Sequence, residues 1–305
     1  MLTKSDRIII EGNYNFKNLR AYQQYVEYNK IKGLSGQTLK GYQSDLFSWF
    51  RYLGNKTYEE VEEQDIEDFI GYCKLNGNND DRLKRRCASI SSFYIFLRRK
   101  KIASNNPMEF FQRPIKKLGV QQKFFLKEEQ VEAMKVKLCT LNDPRIETYV
   151  ILSLSTAARK NAMRNIKWSD IDFDERSIEA IEKGPKEVTL SFSEEARDKL
   201  FELMEYYKNK NIKSEYVFVV KPKDNPRVAG PSAVAEWVRK AGELIDTPKL
   251  TPHSLRRTTA NLLKEKGVPL EVISLILNHT DTKVTQRYIK NNFKDIKILK
   301  DSLNI

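Results

Sequence analysis

Apolar side chains recur at helical spacing through the first third of the chain, beginning with Leu19, Tyr22, Tyr25, Val26 and Tyr28. Ser35 then precedes a stripe of Leu39, Tyr42, Leu46, Trp49, Phe50 and Leu53 that Gly54 closes, which predicts a capped amphipathic helix. A third, acidic helix is expected over Glu59 to Leu75, with Val61, Ile66, Phe69, Ile70 and Cys73 facing inward. A fourth is expected from about Asp80 to Lys101, carrying Ile90, Phe93, Tyr94 and Leu97. Residues 17–112 therefore read as an all-helical domain, preceded by an N-terminal extension over 1–16.

The periodicity stops over 113–122 (RPIKKLGVQQ), where Pro114 and Gly119 predict an interdomain linker. Beyond it the pattern is mixed. Helices are expected over Lys127 to Cys139, Pro144 to Ala158 and Lys160 to Ile166. Strand-like runs follow at Ser177 to Glu182, Glu187 to Phe192 and Tyr216 to Val220, interrupted by a helix over Ser193 to Lys208. Further helical patterns cover Gly230 to Ile245, His253 to Lys266, Pro269 to Leu277 and Phe293 to Leu303. Helices outnumber strands, so the chain is expected to be mainly α with a small antiparallel β-sheet, and residues 123–305 to form an α+β domain.

A chain of 305 residues, at roughly 100–200 per domain, is long enough for two domains. Its 54 Lys and Arg against 41 Asp and Glu give a net charge of +13. Such an excess fits a polyanionic partner, with a well-solvated basic surface as the ordinary alternative. The distribution sharpens this: Arg82, Lys84, Arg85 and Arg86 cluster at one end of the fourth helix, and Arg98, Arg99, Lys100 and Lys101 at the other. Cations at both ends of one helix suit an element laid across a DNA groove and gripping phosphates. Residues 1–120 carry 21 cations against 14 acids and the remainder 33 against 27, so both halves are basic, as two lobes holding one duplex require.

The longest apolar stretches, such as Tyr149 to Leu154, fall far short of the ~18 residues of a membrane span. The first residues hold no apolar signal core, so a cytoplasmic, nucleoid-associated location is expected. Cys73, Cys87 and Cys139 form no paired or ligand-like spacing, and neither a disulfide nor a metal site is expected. Nor does the sequence hold GxxxxGK[ST], GxGxxG after a strand, HExxH or GxSxG, which leaves nucleotide-driven motors, dinucleotide enzymes, zincins and serine hydrolases unsupported. The two histidines stand out instead. His253 and Arg256 lie three apart at a helix start, His279 ends a later helical pattern, and Tyr288 follows nine residues on. Singly each has an ordinary reading as cap or packing; together they supply the imidazoles, guanidinium and phenol for nucleophilic attack on a phosphodiester.

At these residues the chain resembles the tyrosine recombinase, or phage integrase, family. The run Thr156 to Asp172 (TAARKNAMRNIKWSDID) is similar to the family's first signature box and Thr251 to Arg256 (TPHSLR) to its second. Gly267 to His279 (GVPLEVISLILNH), with Thr285 to Ile289 (TQRYI), is similar to the remaining box. The resemblance implies an all-helical, SAM-like core-binding domain and an α+β catalytic domain of the DNA breaking-rejoining type. It implies Tyr288 as the nucleophile that forms a 3′-phosphotyrosyl link and frees a 5′-hydroxyl, with no cofactor because the link conserves the bond energy. Arg159 and Arg256 take the role of clamping the phosphate oxygens. His253 can accept the phenol proton and His279 can donate to the phosphate, with the split between them open. The general acid for the leaving 5′-oxygen is implied to be Lys183, on a β-hairpin between the first two boxes, with Lys186 as the alternative.

Three positions depart from the family pattern. Ala157 stands where Gly is usual, Ala162 where an acidic residue is usual three places after the arginine, and Asn278 where Gly usually precedes the histidine. The missing carboxylate bears on how the catalytic groups are positioned, and Asn278 reads as a polar helix end. The tail helix at 291–305, with Phe293, Ile296, Leu299 and Leu303 on one face, either caps its own domain or, as the resemblance implies, docks on a neighbour to link a tetramer on two DNA sites. The expected function is site-specific recombination of double-stranded DNA through a Holliday junction, for integration, excision or dimer resolution. A type IB topoisomerase-like relaxing enzyme and a non-catalytic DNA-binding member are the alternatives. The short extension before the first helix favours a simple two-domain enzyme of the Xer or Cre kind.

Overall fold

The computed structural model describes residues 14–113, 124–182, 186–220 and 225–278. The chain divides into two compact units, Met1–Gly119 and Val120–Ile305. Most of the N-terminal extension, all of the 113–122 linker but Arg113, and Lys183, His279, Tyr288 and the tail helix lie outside the described residues.

The first unit contains helices α1 (Phe16–Ile31), α2 (Gly36–Leu53), α3 (Glu63–Leu75) and α4 (Asp80–Arg99). Ser35 caps α2 by accepting from the Thr38 amide at 3.2 Å, and Gly54 ends it at φ +60°, a conformation glycine enters without a Cβ clash. The start of α3 is later than the apolar pattern predicts. Glu60 accepts from the amide and hydroxyl of Thr57 at 2.7 and 2.8 Å, closing a separate turn, and Asp65 then accepts from the Glu62 amide at 2.8 Å to begin the helix. The core is aromatic: Trp49, Phe50, Phe69, Phe93 and Tyr94 are fully buried, with Phe50 meeting Phe93 edge-on at 5.5 Å. Each such ring contributes on the order of 2–3 kcal/mol by leaving water. Cys73 and Cys87 are buried here, and burial pushes the Cys87 thiol up to about 11, so it stays protonated.

The second unit begins with α5 (Glu128–Leu138), a 3₁₀ turn (Cys139–Leu141), α6 (Pro144–Thr156) and α7 (Lys160–Arg164). After a second 3₁₀ turn (Trp168–Asp170) come β1 (Ile171–Asp172), β2 (Ser177–Glu182) and β3 (Lys186–Ser191), then α8 (Glu194–Asn209). Strands β4 (Val219–Val220) and β5 (Arg227–Val228) precede α9 (Pro231–Glu243), α10 (Pro252–Glu265) and α11 (Leu270–Ile276). The three-stranded sheet is antiparallel in the order β1-β2-β3, with Ser177 opposite Ser191 and Glu182 opposite Lys186. The fold is thus mainly α with small antiparallel sheets, as the pattern predicts. The expected strand at Tyr216 to Val220 shortens to Val219–Val220 because the Ser214 hydroxyl takes the Tyr216 amide at 3.0 Å and the Ile166 carbonyl takes the Val217 amide. At the centre lies α6, with Tyr149, Val150 and Leu152 fully buried and α8 and α10 packed beside it. Among the described residues, no helix is long and apolar enough to cross a membrane.

Candidate active site

Three local structures converge. Helix α6 stops at Ala157, whose φ of +50° turns the chain left-handed while its amide still bonds the Ser153 carbonyl at 3.1 Å. Two residues later Arg159 occupies the N-cap position of the five-residue α7 and points its side chain outward, 36% exposed. The second element, α10, starts where the Thr251 hydroxyl accepts from the Ser254 amide at 3.1 Å and Pro252 sets the first turn. Thr259 fixes α10 to α6 by donating to the Leu154 carbonyl at 2.7 Å, and Thr258 accepts from the Leu126 amide at 2.9 Å. His253 is exposed on the first turn, while Arg256, one turn on, is 1% exposed.

Arg256 reaches the ends of two other helices. Its Nη1 donates to the carbonyl of Ala157 at 2.7 Å, and its Nη2 donates to the carbonyl of Leu277, which ends α11. Carbonyls at a helix C-terminus have no intrahelical donors and carry negative partial charge, so a buried guanidinium between two of them is both bonded and electrostatically favoured. Asn278, next to Leu277, is also left-handed at φ +49°. Both places where Gly is usual in the resembled family are therefore left-handed helix ends, one filled by alanine and the other by asparagine, which tolerates that region better.

The third element is β2. Its alternating burial puts Ile178, Ala180 and Glu182 on the inner face, and Glu182 ends the strand with its side chain 2% exposed. One carboxylate oxygen of Glu182 pairs with Arg159, and the other lies 3.8 Å from Nη1 of Arg256. Positions 97 residues apart in the chain are thereby gathered about one carboxylate, a group of two guanidiniums and one acid. Such a group has an excess of one positive charge, part of it open to solvent at Arg159, and is suited to a phosphate. The sequence reading missed Glu182. The signal was available: in Ser177 to Glu182 the acid falls on the same period-two face as Ile178 and Ala180. Lys183 directly follows it and lies outside the described residues; of Lys186 only the backbone, at the start of β3, is described.

The basic helix α4 divides differently from the sequence clusters. Arg82, Lys84 and Arg85 are at least partly exposed, and Arg85 grips the buried Asp45 through two hydrogen bonds of 2.9 and 2.7 Å. Arg86 is 8% exposed, bonded to Ser48 and stacked 5.5 Å from the Phe69 ring centre, so it belongs to the bundle interior and not to an exposed phosphate-gripping cluster. At the other end Arg98, Arg99, Lys100 and Lys101 are exposed; Arg98 pairs with Glu109 at 2.8 Å and Arg99 donates to the Tyr28 hydroxyl at 2.8 Å. Among the described residues no group of three His, Cys, Asp or Glu is placed to hold a metal.

Comparison with known proteins matches residues 124–295 to the model of the phage integrase family, and residues 19–101 to that of the phage integrase N-terminal SAM-like domain. The chain is 25% identical over 278 residues to a tyrosine recombinase XerD of Oceanobacillus iheyensis, spanning 88% of this chain and 92% of the relative. It is 26% identical over 262 residues to a tyrosine recombinase XerC of Staphylococcus epidermidis, spanning 84% and 87%. Among solved structures it shares its fold, at a TM-score of 0.72 and 16% identity, with the Tn1549 transposon integrase in complex with a circular intermediate DNA, over 92% of this chain and 99% of that one.

Proposed function

The chain belongs to the phage integrase family of tyrosine recombinases, and we propose that it cleaves and rejoins double-stranded DNA at specific sites through a 3′-phosphotyrosyl intermediate on Tyr288. The observation that carries this reading is the convergence of Arg159 and Arg256, from two separate boxes, about Glu182. Two guanidiniums held close together bind the non-bridging oxygens of one phosphate and favour the extra charge of the pentavalent transition state.

Tyr288 supplies the nucleophile. A phenol has an ordinary pKa of about 10, so attack at neutral pH needs a proton acceptor; His253, exposed at the start of α10, can accept that proton and His279 can donate to the phosphate, with the split between the two roles open. Lys183, next to Glu182, protonates the leaving 5′-oxygen, with Lys186 as the alternative acid. A 5′-hydroxyl from a partner duplex reverses the step, so two rounds of exchange pass through a Holliday junction. Residues 17–112 grip the duplex through the exposed cations of α4, residues 113–122 link them to the catalytic domain over 123–305, and the tail at 291–305 joins four protomers on two sites.

The test is product analysis. Nicked duplexes cut from the DNA on either side of the gene are incubated with the protein to find one that is captured covalently. Two copies of that site are then placed in one supercoiled plasmid. Deleted or inverted product circles are expected; relaxation without exchange would instead assign the protein to topoisomerase-like chemistry.

A further inference from the structure

The carboxylate of Glu182 is buried between the two arginines of the candidate site. It ends the inner face of β2, 2% exposed, with Ile178 and Ala180 as its neighbours on that face. Among the described residues its Oε1 accepts no hydrogen bond, and Nη1 of Arg256 lies 3.8 Å away. A charge buried in this way is poorly matched to stability, because an apolar side chain of similar volume generally serves a core as well or better. Helix α7, which carries Arg159 at its start and packs against β2, has no acidic residue, and its Ala162 is 3% exposed.

We propose that Glu182 is a positioning residue for the phosphate-holding pair, setting the separation and orientation of Arg159 against Arg256. The inference rests on the reading of those two arginines given above. Arg256 is anchored by two helix ends. Arg159 sits on a turn with its side chain 36% exposed, and one Glu182 oxygen toward each guanidinium ties the second to the first. The charge of Glu182 matters as much as its place. With Glu182 the trio carries one net positive charge; without it, two. The extra charge would tighten binding of the resting phosphodiester, which does nothing for the chemical step, while mutual repulsion would misalign the pair that must hold the transition state.

This predicts opposite changes in binding and chemistry. The probe is the nicked duplex that the wild-type protein captures, with single-turnover adduct formation, duplex affinity and folding by circular dichroism measured for Glu182→Gln and Glu182→Asp. The Gln variant is expected to stay folded, to bind the duplex as tightly as wild type or up to severalfold tighter, and to cleave at least tenfold more slowly. The Asp variant, which keeps the charge on a shorter stem, is expected to lie between Gln and wild type in cleavage rate. Cleavage by the Gln variant at or above the wild-type rate would overturn the proposal and make Glu182 a plug that the phosphate displaces. Loss of folding or of duplex binding in the Gln variant, or an Asp variant no faster than Gln, would assign Glu182 to the fold and overturn it equally. Wild-type protein that forms no adduct with any duplex overturns the recombinase reading and this one with it; adduct formation unaffected by Glu182→Gln overturns this one alone.

Discussion

The guanidinium of Arg256 donates a 2.7 Å hydrogen bond to the backbone carbonyl of Ala157, the residue that ends α6. This single contact joins the first and second signature boxes. It helps a cation to be 1% exposed: helix-terminal carbonyls accept from both of its terminal nitrogens, and the Glu182 carboxylate stands 3.8 Å from one of them.

Arg256→Lys tests that arrangement. An ammonium keeps the charge but cannot span the Ala157 and Leu277 carbonyls and a phosphate together. The variant should remain folded, and its single-turnover cleavage should fall roughly a hundredfold or more, the usual loss when a transition-state donor is removed. Arg256→Ala should instead lower unfolding free energy by about 3–5 kcal/mol in urea titration, because Glu182 then loses a buried partner.

Ala157 gives a prediction about strain. An alanine at φ +50° bears a left-handed penalty of roughly 1–2 kcal/mol, which offsets the lost methyl burial and added chain entropy of Ala157→Gly. That substitution should leave stability within about 0.5 kcal/mol of wild type. Ala260→Gly, fully buried in the same apolar cluster but in mid-helix, should cost about 2 kcal/mol. Equal losses at the two positions would show that Ala157 is unstrained.

Much of this was legible in the chain. Helix ends follow from Ser35, Gly54, Ser193 and Pro252, each a residue whose local bonding stops or starts a helix. The arginine pair was identifiable from its two boxes. Glu182 was legible only as an acid on the period-two face of Ile178 and Ala180, because its pairing with two arginines needs register and burial to be known, and Arg86 was misplaced because a run of cations reads as one surface although a helix turns every third or fourth residue inward. The bonds from Arg256 to Ala157 and Leu277 involve backbone carbonyls, which have no signature in sequence at all.

The different placement of the α4 cations is measurable by salt titration of duplex binding. Replacing a phosphate-gripping residue by Gln lowers the slope of log affinity against log salt by about 1. Lys84→Gln and Lys100→Gln should each do so. Arg86→Gln should leave the slope unchanged and lower stability instead, since its guanidinium is held by Ser48 and the Phe69 face inside the bundle.

For Lys183, the leaving group separates general-acid catalysis from binding. Lys183→Ala should slow cleavage of the natural duplex by roughly 10²–10⁴-fold, the range of general-acid catalysis. A duplex with sulfur at the bridging 5′ position, whose leaving thiolate needs no proton, should be cleaved at close to the wild-type rate. Rescue of Lys186→Ala and not of Lys183→Ala would move the acid to Lys186.

The central claim is a covalent bond between Tyr288 and DNA. Wild-type protein and Tyr288→Phe are to be incubated with the same captured nicked duplex, denatured, and the adduct mapped by peptide mass. Wild type should yield a covalent complex carried on the peptide containing Tyr288, and Tyr288→Phe should bind the duplex with unchanged affinity and yield none. A covalent complex that survives Tyr288→Phe, or one mapped to another residue, would contradict it.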